Sequence, residues 1–330
     1  MKQKLQRLLR PAGIVLGALC IVGLLAFSAR STNTTPVKEL AVQVDAPEGV
    51  HFIDDNAVRE QVLHATDAVV GAPIGEVDLV AIEEGLRHIG CVASANVYHT
   101  TDGTLHVKVK QREPIVRVIN ADGSSYYIDR EGWTMPLSEN YTARVLVVTG
   151  ALFEPFAQIP PMDLNAISDS LRQLTRSDEI FHLAATVAAD PTWNALFDNA
   201  TVDAVGEFEL VPRIGGQRVK VGRLQGTSVD TRTNAKEIRE LLTARLDKLR
   251  AFYQQGMPQS DWRMYSTIDT RFADQVICTR RADYRPPTLP KKPAQASRSA
   301  VTGAPTAAVN AQNPRSQNQG DVNVAPMARR

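Results

Sequence analysis

Six histidines, His51, His64, His88, His99, His106 and His182, are the residues best suited to hold a metal ion or move a proton. No two of them show the H-x-x-x-H or H-E-x-x-H spacing that sets a ligand pair on one helix face. His99 and His106 straddle one turn, and without a third ligand a strand-surface pair explains them better than a metal site. Cys20, Cys91 and Cys278 are too few for a disulfide framework or a zinc site, so Cys91 and Cys278 are expected as free thiols, with a bridge between them as the alternative. No G-x-S-x-G, P-loop or G-x-G-x-x-G pattern is present. Gly215-Gly216-Gln217, the tripeptide of peptide-release factors, falls among alternating strand residues and reads as a hairpin turn. The adjacent acids Asp54-Asp55 and Glu83-Glu84 sit in or beside helical patterns, where a solvated face accounts for them better than a catalytic pair does. No catalytic, cofactor-binding or metal-ligating residue is assigned, and no cofactor or small-molecule substrate is expected.

The elements around these residues predict an α+β chain. Leu40, Val42 and Val44 alternate with polar residues as in a half-buried strand. A helix opening at Asp54 or Asp55 follows, with Ala57, Val58, Val62 and Leu63 on one face. Gly71 and Pro73 break it. A second helix over 78–89 carries Leu79, Ile82, Leu86 and Ile89, with Gly90 as its C′ residue. Two strands, 92–100 and 105–111, flank the turn pair Asp102-Gly103.

From Ile115 onward strands dominate. Segments 115–120 and 126–129 flank Asp122-Gly123, and 133–137 and 144–149 continue the pattern. The spacing of Leu164, Ile167, Leu171 and Leu174 predicts one amphipathic helix over 163–176. Segments 208–214 and 218–221 form a hairpin. The longest soluble helix is expected over 234–254, with Asn234 and Glu237 as its capping pair and Ile238, Leu241, Leu242, Leu249 and Phe252 inward. A last strand pair lies within 262–280.

The two ends differ from this body. Lys2, Lys4, Arg7 and Arg10 precede an uncharged apolar run from Pro11 to Ala29, long enough to cross a bilayer. The basic flank places the N-terminus in the cytoplasm and the remainder outside; a cleaved signal peptide is the alternative. Residues 283–330 lack periodicity and are rich in Pro, Ala, Gln, Asn and Ser, a composition that cannot bury enough apolar surface to fold. Net charge is +1, yet residues 1–10 carry +4 and residues 286–330 carry +5, which leaves the body at −8. An acidic body argues against nucleic acid as a partner. The strand formers between Tyr265 and Cys278, directly before the polar end, suggest a sheet edge able to accept a strand from another chain.

The order of parts resembles the FtsQ/DivIB family of bacterial cell-division proteins, with residues 1–10 cytoplasmic, 11–29 a transmembrane helix, 37–112 similar to a POTRA domain, 113–282 similar to the family's β domain, and 283–330 a disordered tail. Three segments carry the match. Gln111-Arg112-Glu113-Pro114-Ile115 resembles the junction that ends POTRA, Tyr126-Tyr127-Ile128-Asp129-Arg130-Glu131-Gly132 the family's aromatic-Ile-Asp-x-x-Gly hairpin, and Ser266-Thr267-Ile268-Asp269-Thr270-Arg271-Phe272 its late strand. Thr270 stands where the family often has Leu, and 190–235 matches loosely.

The resemblance implies a non-enzymatic divisome scaffold acting in septum formation. It would be a single-pass type II protein of the inner membrane with most of its chain in the periplasm. It implies binding of FtsB/FtsL-type coiled-coil proteins by strand addition at 265–278, with Tyr265, Thr267, Asp269, Arg271 and Phe272 at the interface. Arg271 would pair a partner acid and Phe272 fill an apolar pocket. Contacts of the POTRA-like part with FtsK and other division proteins are also implied. The rival classes are a POTRA-bearing secretion or outer-membrane assembly factor and an anchored cell-wall enzyme.

Overall fold

The computed structural model describes residues 18–22, 34–65, 69–139, 141–225, 231–256, 261–273 and 275–285. Of the expected membrane span only 18–22 is described, and it is helical. Among the described residues no helix is long and apolar enough to cross a membrane. The expected tail lies outside the described residues except for 283–285.

The N-terminal part is a three-stranded sheet covered on one face by two helices. Its elements are β1 (Glu39–Asp45), α1 (Asp55–Ala65), α2 (Leu79–Arg87), β2 (Val92–His99) and β3 (Thr104–Gln111). Strand order is β1-β3-β2, with β1 parallel and β2 antiparallel to β3. Leu40, Val58, Val62, Ile82, Leu86, Leu105, Val107 and Val109 fill its core. Asp54 caps α1, its Oδ1 accepting from Ala57 N–H at 2.7 Å, and Asp78 caps α2 in the same way through Ala81 N–H. The buried stripe of α1 is narrower than expected, since Ala57 is exposed and Leu63 is 44% exposed.

Gly90 plays a different part from the one its position suggested. Helix α2 ends at Arg87, its C-cap is His88 in right-handed conformation, and Gly90 is two residues further on. A Cβ there would meet Pro136 Cδ at 2.3 Å, so glycine is needed for close approach of the following domain.

That following domain is built on a nine-stranded sheet in the order β12-β11-β10-β9-β8-β7-β4-β5-β6. Its elements, in chain order, are β4 (Pro114–Ile119), β5 (Ser125–Asp129), β6 (Thr134–Met135), β7 (Leu146–Gly150), α3 (Asp169–Leu174), α4 (Ser177–Ala189), α5 (Pro191–Leu196), β8 (Phe197–Val202), β9 (Phe208–Pro212), β10 (Arg218–Gly222), α6 (Thr231–Ala251), β11 (Tyr265–Asp269) and β12 (Ile277–Arg280). Strands β4/β7, β7/β8 and β10/β11 pair in parallel, the others antiparallel. Helix α4 packs on β4 and on α6. Ile180, Leu183 and Val187 of α4 join Ile238, Leu242, Leu246 and Leu249 of α6 in one apolar core with the strands.

Three expectations change here. The single helix over 163–176 is a 3-10 turn, Leu164–Ala166, followed by α3, because Ile167 turns extended and Ser168 caps a new start through Leu171 N–H. Leu174, placed inward by spacing, is 82% exposed. Helix α6 begins at Thr231, so Asn234 and Glu237 lie inside it rather than at its cap.

Helix α4 also buries charge at its N-terminus. Glu154 accepts from Arg176 N–H at 2.7 Å and from Ser177 Oγ at 2.6 Å, and that hydroxyl also bonds the Tyr126 hydroxyl. Glu179 pairs with Arg176 at 3.0 Å, while Asp178 lies 3.6 Å from Arg172 and 3.4 Å from His182. Burial pushes the Glu179 carboxyl up to about 7, only partly opposed by the Arg176 charge, and burial raises Glu154 as well. Folding therefore holds a proton on Glu179 that the unfolded chain releases near 4.5. The stabilisation this provides is complete below that value and is lost as pH rises through about 7, a change of up to roughly 3 kcal/mol. Urea unfolding should show stability falling from pH 5 to pH 8, and Glu179→Gln should flatten that fall. An equal fall in wild type and variant would show that Glu179 is not its source.

Candidate interaction site

The joint between the two sheets is assembled from the first two family-like segments. Strand β3 ends at Gln111 and β4 starts at Pro114, so Arg112 and Glu113 alone separate them. Arg112 pairs with the fully buried Asp129 at 2.8 Å and stacks on Trp133 at 4.5 Å. Asp129 also accepts from Glu131 N–H at 3.0 Å and Trp133 N–H at 2.7 Å, closing the turn after β5. Glu113 pairs with Arg130 through both carboxylate oxygens. The Gln111 amide oxygen accepts from Phe52 N–H at 2.9 Å and Ile53 N–H at 3.1 Å, and its nitrogen donates to Val50 O. Phe52 packs edge-on against Tyr127 at 5.6 Å and Tyr141 at 5.0 Å, in a small apolar cluster with Met135 and Ala143.

The third segment lies at the far end of the large sheet. Strand β11 runs parallel to β10, with Thr267 opposite Arg218 and Asp269 opposite Lys220, and antiparallel to β12, with Ile268 opposite Cys278 and Asp269 opposite Ile277. Strand β11 therefore has neighbours on both sides, and the outer edge is β12, Ile277–Arg280. Val276 and Cys278 pack toward the core while Ile277 and Thr279 are exposed, so the latter share a sheet face with Asp269 and Thr267. Ile277 is 42% exposed, as is Phe272 in the loop before it.

The five residues expected at a partner surface fall into separate environments. Tyr265 packs edge-on against Phe252 at 5.9 Å. Thr267 is half-buried on the sheet face. Arg271 is engaged within the chain: it donates to Asp269 at 2.6 and 3.0 Å and to both oxygens of Glu207 at 2.8 Å. Burial acts to raise Asp269, but the Arg271 bonds and charge, helped by Lys220, hold it below the usual carboxylate range. Gly222 makes room for this network, since a Cβ there would meet Arg271 Cδ at 2.7 Å. Lys248 of α6 donates to the carbonyls of Thr270, at 2.8 Å, and Phe272. The Thr270 hydroxyl, where the family often has Leu, donates to Lys220 O at 3.0 Å. These bonds fix the loop between β11 and β12 to the helix and leave Phe272 protruding.

Ile277 belongs to the expected segment 265–278, whereas the edge residues Thr279 and Arg280 lie beyond it, and none of the three was named at the interface. The available signal was the outward Ile277 between inward Val276 and Cys278, just before the polar end. Arg281 then fastens the edge from its C-terminal side, donating to Tyr265 O and to the carbonyls of Gly215 and Gly216 in the predicted β9/β10 turn.

Other candidate chemistry does not assemble. His106 stacks on Tyr98 at 5.0 Å, while His99 lies opposite the buried Leu105, so the two histidines occupy opposite faces of their hairpin. Cys91 and Cys278 are free thiols, and burial raises both. Among the described residues no three His, Cys, Asp or Glu side chains gather as a metal site.

Known proteins resemble the chain in this same two-part order. Residues 36–110 match a POTRA-like domain, and residues 113–279 match the model described as FtsQ/DivIB, C-terminal related. A cell division protein FtsQ of Rhodothermus marinus is 28% identical over 238 residues, covering 71% of this chain and 76% of that protein. A cell division protein FtsQ of Salinibacter ruber is 25% identical over 274 residues, covering 82% of this chain and 92% of its own length. With half of its length matched by the family's own C-terminal model, next to a POTRA-like domain, this chain belongs to the FtsQ/DivIB family.

Proposed function

We propose that this chain is a non-enzymatic scaffold of the bacterial division machinery, held at the inner membrane by residues 11–29 with its two domains in the periplasm. Its partner site is the outer edge of β12, which takes up an extended segment of an FtsB/FtsL-type coiled-coil partner. The carrying observation is the position of β12: among the described residues it ends the large sheet and pairs only with β11. Its free main-chain N–H and C=O groups supply affinity to an added strand, and Ile277, Thr279 and Phe272 supply side-chain contacts. Thr267 lines the same face. Tyr265, Asp269 and Arg271 hold the edge in place from behind. The POTRA-like domain serves other division proteins, FtsK among them.

The test is capture of an FtsB/FtsL-type pair by the full chain in detergent. Ile277→Glu and Phe272→Glu each place a charge where an apolar contact is expected, on side chains exposed enough for the fold to tolerate it. Capture should fall about tenfold, corresponding to about 1.4 kcal/mol. Equal capture by wild type and both variants would remove β12 as the site, and no capture by wild type would remove the partner.

A further inference from the structure

Among the described residues the chain has two sheets and so four edges, and they are not treated alike. Three meet a covering group. Strand β6 is two residues long; Thr134 N–H donates to Met162 O at 2.9 Å, and the Thr134 hydroxyl accepts from Met162 N–H. The two edges of the small sheet are β1 and β2. Near its start β1 is covered by the segment before the second helix, with Val37 N–H donating to Ala72 O at 2.9 Å. Near its end Val44 N–H donates to Asp55 Oδ1 at 3.0 Å.

On β2 the phase is set by Thr100, whose N–H donates to Thr104 O across the hairpin. Main-chain groups of Tyr98, Asn96 and Ser94 therefore point to β3, and those of His99, Val97 and Ala95 point outward. Val97 is the middle outward residue, and its N–H donates to Glu83 Oε1 at 2.8 Å. Glu83 sits on α2, which packs beside β2, and Arg87 one turn later lies 3.9 Å from its other oxygen. These two acids are members of the Asp54-Asp55 and Glu83-Glu84 pairs, and each does more than solvate a helix face.

We propose that Asp55 and Glu83 are built-in plugs that close both edges of the small sheet to incoming strands, so that an extended partner segment is steered to β12. An added strand must place a carbonyl oxygen against each outward N–H. At Val44 and Val97 it meets a carboxylate already bonded there, which repels its carbonyl and loses its own donor if displaced. An inward-turned charge at an edge is an established device against strand pairing. A second copy of this chain is the occupant expected once the plugs are removed, because it presents the same two edges at the same concentration. The steering half of the proposal rests on the strand-addition reading of β12; the plug half does not.

Amide hydrogen exchange on the full chain in detergent tests the plug. In Glu83→Ala the Val97 amide should exchange at least about tenfold faster, the expected loss of one net hydrogen bond, while the inward Asn96 and Tyr98 amides stay unchanged. Glu83→Gln, which keeps the acceptor, should restore Val97. The Asp55→Ala/Glu83→Ala double variant should self-associate with concentration in sedimentation, and its Ala95, Val97 and His99 amides should regain protection as it does. Unchanged Val97 exchange in Glu83→Ala overturns the plug, as does a double variant that self-associates no more than wild type. Faster exchange at Asn96 and Tyr98 as well would mean that Glu83 supports the strand rather than shielding it, which also overturns the proposal. Failure of wild type to capture the coiled-coil pair would remove the steering half alone.

Discussion

Asp129→Ala should cost about 3–5 kcal/mol, enough to unfold much of the chain near physiological temperature, because it leaves the buried Arg112 cation without its partner. Arg112 cannot shed its charge to relieve the loss. The same substitution also removes the acceptor for Glu131 and Trp133 N–H, which hold the turn that carries Arg130 toward Glu113. One carboxylate thus serves the ion pair, the turn and the orientation of a second ion pair. Asp129→Asn keeps the size and one acceptor oxygen and should cost less than Ala. The decisive comparison is Arg112→Met with Asp129→Leu together. If the pair acts mainly as two charges that must not be separated, the double variant will be more stable than Asp129→Ala. Denaturant midpoints of the four proteins measure this. With the Arg112→Met and Asp129→Leu single variants added, losses that sum to that of the double variant would show that each residue acts through separate contacts, Arg112 through its stacking on Trp133 and Asp129 through the turn.

This joint shows how far local sequence reaches. Both segments, 111–115 and 126–132, are visible as motifs, and the two strands and hairpin around Asp122-Gly123 follow from alternation and turn chemistry. Nothing local says that Arg112 meets Asp129 seventeen residues later, or that Gln111 reaches back to Phe52. Burial on every side hides elements as well. Helix α4 has no amphipathic stripe to find, since Ser177, Asp178 and Glu179 are as buried as Ile180 and Leu183. Strand β8 is short, with Asp198-Asn199 interrupting its apolar positions. Conversely, Leu164 to Leu174 keeps helical spacing through a real break, because Ser168 is a competent cap in mid-pattern.

Which strand of the last pair forms the edge is hidden for the same reason. The sequence pattern reveals a strand pair within 262–280, but not which of its strands ends the sheet. That depends on β10 and β11 pairing in parallel, which requires the chain to cross the sheet through α6 and return. The crossover is a long-range event with no marker in residues 265–278. Arg271 was expected to face a partner for a related reason. Its charge is legible, whereas Glu207, 64 residues earlier, reaches it only through the fold.

Cys278→Pro and Thr279→Pro together test whether β12 binds through its main chain. Successive N–H groups of a strand point to opposite sides, so one substitution removes a donor from the β11 pairing and the other removes one from the open edge. Proline is tolerated on an edge strand when the lost N–H faced outward. One variant should therefore keep the wild-type thermal midpoint and the other should lower it. The variant that keeps its midpoint is the informative one: its fold is intact, its side chain has changed little in bulk, and its edge lacks a donor and carries a ring that blocks the approaching strand. It should lose capture of the coiled-coil pair at least about tenfold, and more if the ring displaces neighbouring hydrogen bonds. A side-chain-only interface predicts the reverse, with the stable proline variant binding as wild type while Ile277→Glu fails. Strand addition makes both fail, and isothermal titration of the three proteins against one partner preparation separates the two modes.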